Sequence, residues 1–240
     1  MNALWTVRLG RMAYGEALEL QRAAARARIT GAIPQDVLLL VEHEPVVTMG
    51  RTAKQQNLTA SAELLAARGV QLFEVERGGD VTYHGPGQLV GYPIVDLKRH
   101  KQDLHWYLRQ VEEAVILAIA EHGLSGERSA GYTGVWTRGL AGGVSHPPRK
   151  VTSIGVHARD WVTWHGFALN VTTELSYFDL IVPCGIPGVD MTSMSRELGT
   201  VVGMRDAEDA IIRAFARVFS LDSAEVPLHA LAVDAINADR

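Results

Sequence analysis

The sequence predicts a single α/β domain of the α+β type that spans residues 1–240. Helix-like and strand-like segments follow one another along the chain, which is typical of this class. The composition, with 47% hydrophobic and 21% charged residues, provides enough apolar side chains for one substantial core. No internal repeat, low-complexity tract or clear linker divides the chain, and 240 residues lie within the size range of one large domain.

The first part of the chain contains two predicted helices separated by strands. Residues 14–29 are rich in Ala, Leu, Glu and Arg and are followed by Gly31 and Pro34, so they predict a helix. Residues 61–68, followed by Gly69, predict a shorter one. The remaining segments have the apolar or alternating pattern of strands and are predicted as extended: 3–8, 37–41, 45–50 and 71–76.

The clearest helix follows Asp103, a suitable N-cap, and ends near Gly123. Its apolar stripe is interpreted as core and not as part of a site: Leu104, Leu108, Val111, Val115, Ala118 and Ile119. A strand at 88–95 precedes this helix, and a last helix is predicted at 206–219.

A β-hairpin is predicted from two strands, 151–157 and 161–171, joined by a polar turn at 158–160. The segment before it, 139–149, contains two consecutive glycines and a Pro-Pro pair and predicts a mobile loop. This loop leads directly into Lys150.

Charge and hydropathy exclude two classes of partner. A formal charge of -4 and an isoelectric point near 6.1 argue against non-specific attachment to nucleic acid, which requires clustered Lys and Arg. No run of 18 apolar residues occurs, and the N-terminus lacks the pattern of a signal peptide, so no membrane association is predicted. We therefore expect a soluble, cytoplasmic protein.

Cys184 is the one cysteine of the sequence, so no intramolecular disulfide and no multi-cysteine zinc site can form. A single cysteine is either a small buried apolar residue or a reactive thiol, and composition alone favours the first. The residues around it must decide between the two.

The segment from Arg77 to Val90, RGGDVTYHGPGQLV, combines four glycines and a proline with several polar side chains. Glycines permit positive φ angles and a close approach of the backbone, so the segment suits either a β-turn or a ligand-binding loop. Its spacing fits neither the dinucleotide fingerprint nor the P-loop pattern, and both interpretations stay open from the residues alone.

Four segments resemble the motifs of the octanoyltransferases of lipoate biosynthesis, also called lipoyl/octanoyl transferases, of the biotin/lipoate protein ligase superfamily. The first, RGGDVTYHGPGQLVGYP, begins at Arg77. The others are RKVTSIGVHA at 149–158, WHGFALNV at 164–171 and PCGIPGVDMTS at 183–193. They occur in the family's order and spacing and span most of the chain, so the resemblance is far more specific than one glycine-rich motif.

The resemblance implies that Cys184 forms an acyl-thioester intermediate, while Lys150 stabilises its thiolate and transfers protons. An ordinary thiol is only about 3% thiolate at pH 7, and a nearby ammonium favours the anion. The resemblance further implies a substrate-binding pocket, without a metal site, that is lined by Arg77, Gly78, Gly79, Asp80, Val81, Thr82, Tyr83, His84, Ser153, Ile154, Gly155, Gly166, Phe167 and Ala168.

The implied reaction moves an octanoyl group from octanoyl-acyl carrier protein to a specific lysine of lipoyl domains. The implied acceptors are the lipoyl domains of 2-oxoacid dehydrogenases and the glycine cleavage H protein, and the enzyme is expected to be a monomer. Exchange of a thioester for an amide is downhill, so neither ATP nor a metal nor an organic cofactor is expected. The implied fold is a mixed β-sheet with packed helices, as in biotin and lipoate protein ligases and class II synthetase cores.

Two alternatives stay open. An ATP-dependent lipoate or biotin-type ligase of the same fold would activate a free acid and use a lysine without a cysteine nucleophile. A non-catalytic acyl-binding module would keep the pocket without turnover. Cys184 in its PCG context argues against the ligase, and the presence of both Cys184 and Lys150 argues against the binding module.

Histidines invite a Cys-His pairing, as in papain-like enzymes. His84 and His165 lie inside motifs and are interpreted as residues that shape the site, not as the primary base. The run 98–101 is interpreted either as a solvated turn or as a basic surface for acidic carrier or lipoyl domains.

Overall fold

The computed structural model describes residues 3–140, 142–143 and 146–231. Within these residues the strands are β1 (Ala3–Met12), β2 (Asp36–His43), β3 (Val46–Met49), β4 (Gln71–Glu74), β5 (Val81–His84), β6 (Gln88–Ile94), β7 (Leu124–Glu127), β8 (Gly134–Leu140), β9 (Arg149–Arg159), β10 (Val162–Asn170) and β11 (Asp222–Glu225). The α-helices are α1 (Tyr14–Thr30), α2 (Ala62–Ala67), α3 (Leu104–Ala120), α4 (Met194–Leu198) and α5 (Met204–Phe219).

Eight strands form the main sheet, in the order β11-β1-β2-β6-β10-β9-β8-β7. Strand β1 runs parallel to both of its neighbours, whereas the other adjacent pairs are antiparallel. The sheet is therefore mixed and carries packed helices, which confirms the predicted fold class.

The two faces of this sheet are covered by different helices. On one face, α3 and α5 pack against inward-pointing strand residues such as Phe167 and Val151. On the other face, the alanine-rich side of α1 packs against residues such as Leu39 and Ala168. No helix within the described residues is long and apolar enough to cross a membrane.

A small second sheet, in the order β4-β3-β5, lies beside the main one. It shares an apolar cluster with Leu65 of α2 and with Phe178 and Leu180, which lie in the 3₁₀ turn Leu175–Leu180. The residues just before β5 cross over to the main sheet, where Gly78 donates a backbone hydrogen bond to Val156 of β9 at 2.8 Å. This crossing brings the glycine-rich segment onto the sheet.

The predicted hairpin is present, with a shift in its turn. Strands β9 and β10 pair from Val162 opposite Arg159, so the turn consists of Asp160 and Trp161. Both residues have positive φ angles, 51° and 64°, as a two-residue turn between twisted strands requires.

The predicted loop at 139–149 is shorter in the structure. Leu140 ends β8 and Arg149 begins β9, while residues 141, 144 and 145 lie outside the described part of the chain. His146 in this connection contacts the Glu197 carboxylate at 2.6 Å. The expected mobility of the loop stays a prediction.

Candidate active site

Cys184 is the central residue of a short 3₁₀ turn, Pro183–Gly185. Its backbone is left-handed, with φ 57° and ψ 16°, a conformation that is uncommon for a residue with a Cβ. The turn fits closely against the second sheet, since a Cβ on Gly185 would lie 2.5 Å from a carboxylate oxygen of Asp80. Such backbone outliers cluster at functional sites, where the surrounding structure enforces them.

Lys150 lies at a β-bulge near the start of β9. Val135 pairs with Thr152, but the next residue of β8, Trp136, pairs with Lys150, so Val151 is an extra residue in β9. Bulges re-aim side chains beside active sites. Here the bulge coincides with a lysine side chain that is fully buried.

The two predicted reactive groups are in contact. Lys150 Nζ lies 3.2 Å from Cys184 Sγ and 3.3 Å from the carbonyl oxygen of Thr133. The ammonium also lies 4.7 Å from the ring centre of Trp136, a cation–π distance. In the described part of the chain Lys150 forms no salt bridge with a carboxylate, so the thiol is its nearest group able to carry a negative charge.

Ser153 completes the immediate surroundings of the thiol. Its hydroxyl oxygen lies 3.6 Å from Cys184 Sγ, and either atom can donate the hydrogen bond. Ser153 stands opposite Ala168 in the β9–β10 pair, which fixes its side chain on the same face of the sheet as Ala168.

A cavity of about 470 Å³ opens beside this pair. Every residue predicted for the site lines it, with Tyr83 as the exception. Tyr83 packs behind β5, where its ring stacks on Tyr177 at 4.9 Å and meets Phe178 edge-on at 5.6 Å. The three predicted pocket segments and the two reactive residues therefore converge on one cavity from four separate parts of the chain.

Glycines let the segment after β4 lie directly on the sheet. A Cβ at Gly155 would lie 2.8 Å from the carbonyl oxygen of Gly78, and one at Gly50 would lie 2.3 Å from that of Gly79. Beneath this segment, Arg77 is buried and donates to the carbonyl and hydroxyl oxygens of Thr48 at 2.6 and 2.9 Å. Burial lowers the pKa of the Arg77 guanidinium.

One wall of the cavity is a buried cluster of aromatic and imidazole rings. His84 stacks on Tyr14 with a ring distance of 6.0 Å and contacts Gln88 Oε1 at 2.8 Å, while His43 Nε2 contacts the Tyr92 hydroxyl at 2.7 Å. Burial lowers the pKa of His43 to about 4 and that of His84 to about 3, and it raises the pKa of Tyr14 to about 12. These groups are therefore uncharged near pH 7, so none of them can supply the positive charge that stabilises a thiolate.

His165 has an unusual backbone on the cavity wall. Its φ of 55° lies within β10, although pairing with β9 continues through it, and its N–H donates to the side-chain oxygen of Gln21 at 3.1 Å. Burial lowers the pKa of its imidazole, although Glu76 lies 3.7 Å from Nε2.

Across the described residues, no three His, Cys, Asp or Glu side chains are arranged to hold a metal ion.

The interpretation of the whole α3 stripe as core is wrong for its first turn. Leu104 is 39% exposed, and both Leu104 and Leu108 line the cavity together with His105. The period of 3.6 identifies one face of a helix but not what covers it, and the sheet covers this face only from Val111 onward.

Three contributors to the site carried no recognisable signal in the sequence. Thr133 and Trp136 contact the Lys150 ammonium because β8 pairs with β9, and Tyr14 reaches the cavity from the first turn of α1. Gly134 offers an indirect sign, because a glycine within a strand often marks a close approach of another group.

The run 98–101 makes local contacts. Lys98 lies 3.7 Å from Asp96, Lys101 lies 3.0 Å from Asp103, and His100 lies 2.7 Å from Asp36. These partners reduce the charge that the run presents, so the geometry favours the solvated turn over the basic docking surface.

Comparisons with known proteins identify the family of the chain. Residues 13–216 match the model of the lipoyl protein ligase A/B catalytic domain. The chain is 50% identical over 213 residues to the octanoyltransferase of Koribacter versatilis, covering 88% of this chain and 82% of the relative. It is 46% identical over 227 residues to the octanoyltransferase of Myxococcus xanthus, covering 95% of this chain and 62% of that relative's length.

Solved structures share the fold at low sequence identity. Lipoate-protein ligase A bound with ATP superposes with a TM-score of 0.73 at 16% identity, covering 99% of this chain and 95% of that one. The bipartite lipoate protein ligase of Thermoplasma acidophilum gives a TM-score of 0.71 at 16% identity, covering 99% and 92%. The expected likeness to the lipoate protein ligase fold is confirmed.

Proposed function

The chain belongs to the family of lipoyl protein ligase A/B catalytic domains, and from this membership we propose that it transfers an octanoyl group from octanoyl-acyl carrier protein to a lysine of a lipoyl domain. Its curated relatives are named octanoyltransferases, which supports an acyltransferase of lipoate biosynthesis. The observation that carries the proposal is the 3.2 Å contact between Lys150 Nζ and Cys184 Sγ at a cavity. Lipoyl domains of 2-oxoacid dehydrogenases and of the glycine cleavage H protein are the proposed acceptors.

The first half of the reaction forms an acyl-enzyme. The Cys184 thiolate attacks the carbonyl carbon of the carrier thioester, a new carbon–sulfur bond forms, and the bond to the carrier sulfur breaks. The departing carrier thiolate takes a proton from the Lys150 ammonium. The contact between Lys150 Nζ and Cys184 Sγ supports two roles for Lys150, stabilisation of the thiolate and donation of a proton at the reacting centre.

The second half passes the acyl group to the acceptor lysine. Its neutral amine attacks the Cys184 thioester, an amide bond forms, and the carbon–sulfur bond to Cys184 breaks. Lys150, left neutral by the first half, accepts the proton that the amine loses and so returns to the ammonium form. The cycle consumes one thioester and one amine and yields one amide and one carrier thiol.

The cavity suits a medium-length saturated chain. Apolar side chains from three elements line it, among them Val81, Leu108 and Ile154. Burial of about seven carbons at roughly 0.8 kcal/mol each has an upper bound near 5 to 6 kcal/mol. Burial of this size supports selection of the donor by its acyl chain.

An ATP-dependent ligase is the alternative that the shared fold leaves open. Lipoate-protein ligase A binds ATP on the same fold, but 16% identity conveys the fold alone. A thiol in contact with the buried lysine favours the transferase, because a ligase that forms an adenylate has no need of a nucleophilic cysteine.

The test is octanoylation of a purified lipoyl domain in two parallel reactions. One contains octanoyl-acyl carrier protein without ATP, and the other contains octanoic acid with ATP and Mg²⁺. We expect product in the first reaction alone. Product in the second alone would replace the transferase by a ligase, and product in neither would leave an acyl-binding module.

A further inference from the structure

A buried carboxylate, that of Glu197 in α4, lies behind the reactive lysine. Its side chain is 3% exposed and contacts three side chains, Thr192 Oγ1 at 2.5 Å, His146 Nε2 at 2.6 Å and Arg149 Nη1 at 3.1 Å. Burial raises the pKa of this carboxyl, but these hydrogen bonds outweigh burial and hold the pKa below its ordinary value. Glu197 is therefore an anion that ties together separate segments of the chain.

Two of these segments border Lys150 directly. Arg149 is the preceding residue of β9. Thr192 lies on the segment that pairs with Lys150 on its other side, where the Thr192 N–H donates to the Lys150 carbonyl at 2.9 Å and the Lys150 N–H donates to the Asp190 carbonyl at 2.7 Å. A single carboxylate thus holds the chain before Lys150 and the chain beside it.

Further contacts fix the same segment. Asn170 of β10 donates to the carbonyl oxygen of Thr192 at 2.9 Å, and Asn170 Oδ1 accepts from Gln88 at 2.9 Å. Gln88 in turn contacts His84 on the cavity wall. Thr192, Asn170 and Gln88 are all buried, so this network is shielded from water.

Lys150 needs this support for a specific reason. The bulge at Val151 breaks the regular pairing of β9 with β8 beside Lys150, so the ladder alone fixes its backbone poorly. The contact of Lys150 Nζ with Cys184 Sγ at 3.2 Å requires a precise position of the ammonium. A displacement of about 1 Å is enough to weaken such a contact severely.

We propose that Glu197 is a positioning residue that, through Thr192 and Arg149, holds the Lys150 ammonium against Cys184. This inference rests on the proposed function for its consequence in catalysis, but its test does not require octanoyl transfer. Glu197 acts through Lys150 and touches no reacting atom.

The test is the rate of iodoacetamide alkylation of the enzyme as a function of pH. Cys184 is the one cysteine of the sequence, so the reaction reports on it alone. Thr192→Val removes the hydroxyl donor while keeping the side-chain shape, Thr192→Ser restores it, and Glu197→Gln removes the charge. Lys150→Ala defines the profile of a thiol without its lysine.

Asp36→Asn is the matched control. Asp36 is also a buried carboxylate that accepts from an arginine, a histidine and a backbone N–H, but it lies at the start of β2, away from the cavity. The Asp36→Asn variant measures how far the loss of any buried charge changes the alkylation profile. Thermal melts of all variants show whether each is folded, and Thr192→Val carries the test if Glu197→Gln fails to fold.

We expect alkylation near pH 7 to fall about fivefold in Thr192→Val, the effect of one lost hydrogen bond of ordinary strength, and to recover in Thr192→Ser. Glu197→Gln should shift the pH profile toward that of Lys150→Ala, while Asp36→Asn should keep the wild-type profile. Wild-type profiles in folded Thr192→Val and Glu197→Gln, beside a displaced Lys150→Ala, would overturn the positioning role and leave the proposed function intact. A wild-type profile in Lys150→Ala would instead overturn the coupling of lysine and thiol on which the proposed function depends.

Discussion

Gly134 gives the lysine its space. A Cβ at this position would lie 2.6 Å from the carbonyl oxygen of Thr152, 2.9 Å from Lys150 Cε and 3.3 Å from Lys150 Nζ, and the φ of 142° is itself unfavourable for other residues. The backbone of Thr152 cannot move easily because it belongs to the sheet. A substituent therefore strains the backbone against Thr152 and also displaces the side chain of Lys150.

Gly134→Ala is expected to displace Lys150 from Cys184 and to reduce octanoyl transfer at least tenfold, because a reacting group moved by about 1 Å loses much of its effect. The measurement is the transfer rate at saturating donor. Gly123→Ala is the matched control, since Gly123 also has a positive φ of 87° but open space around its Cβ. Equal losses in the two variants would show that backbone strain, and not contact with Lys150, is responsible.

Two buried histidines, His84 on the cavity wall and His43 beside it, predict a pH dependence of stability. His43 and His84 have folded-state pKa values of about 4 and 3, below the value of about 6.5 in an unfolded chain. Between the folded and unfolded pKa values the unfolded chain binds more protons than the folded chain. The histidines therefore contribute their full stabilisation above about pH 6.5, and the free energy of unfolding falls as the pH decreases below that value. From pH 7 to pH 5 each histidine is expected to remove about 2 kcal/mol from the free energy of unfolding.

Urea denaturation at pH 7 and pH 5 tests this expectation in the wild type and in His43→Gln, which cannot titrate. The variant should lose about 2 kcal/mol less than the wild type over the same interval. A loss of equal size in both proteins would show that His43 is not the source.

At the scale of secondary structure, the start of α3 links stability to the cavity. The Asp103 carboxylate accepts from the N–H of Trp106 at 3.0 Å and so caps the helix. Leu104 and Leu108, in the first turns that follow, line the cavity. The cap therefore fixes part of the cavity wall.

Asp103→Ala is expected to lower the free energy of unfolding by about 1 kcal/mol, the usual cost of removing an N-cap. Asp103→Asn should restore most of this loss, because asparagine caps helices equally well. Urea denaturation of both variants provides the measurement. Similar losses in the alanine and asparagine variants would indicate that charge, rather than capping, is what Asp103 contributes.

Long periodic elements were predictable from the sequence, whereas short polar ones were not. The predicted helix at 14–29 corresponds to α1, and the predicted helix at 206–219 to α5, with end shifts of at most two residues. Strands β7 (LSGE) and β11 (DSAE) lack apolar alternation, because edge strands bury little of their surface. Pairing with a neighbour, which a local pattern does not contain, makes them strands.

The residues of the candidate site likewise fall into those that the sequence could predict and those that it could not. Residues within the four motifs could be assigned by resemblance, and the structure brings Cys184 and Lys150 into contact across 34 residues of sequence. Thr133, Trp136 and Glu197 could not be assigned, because each reaches Lys150 through strand pairing or a tertiary hydrogen bond. Tyr83 illustrates the converse, since strand alternation turns a motif residue away from the cavity.

At the scale of the whole molecule, unpaired positive charge lies near the cavity although the net charge is -4. Arg51 and Lys54 are exposed and form no salt bridge with a carboxylate among the described residues. Their loop is bound to the cavity wall, since Arg51 N donates to the Arg77 carbonyl at 3.0 Å and Lys54 N donates to Asp80 Oδ1 at 3.3 Å. An acidic carrier approaching the cavity would meet this edge.

Charge reversal at Arg51 and Lys54 is expected to raise KM for octanoyl-acyl carrier protein about tenfold at low salt, because steering of a charged partner depends on complementary charge. KM for octanoyl pantetheine, which lacks the carrier protein, should stay unchanged. Arg217→Glu, an exposed change on α5, serves as the control. An equal rise in KM for both donors would place the effect in the cavity and not in carrier docking.

The most direct test of the central claim is intact-mass spectrometry of the enzyme mixed with octanoyl-acyl carrier protein, without ATP and without an acceptor. We expect one octanoyl adduct that hydroxylamine cleaves, as a thioester requires, and that disappears when a lipoyl domain is added. We expect no adduct in Cys184→Ala. An adduct of undiminished intensity in Cys184→Ala would contradict Cys184 as the nucleophile. An adduct that resists hydroxylamine would contradict it as well, because an amide on Lys150 behaves in this way.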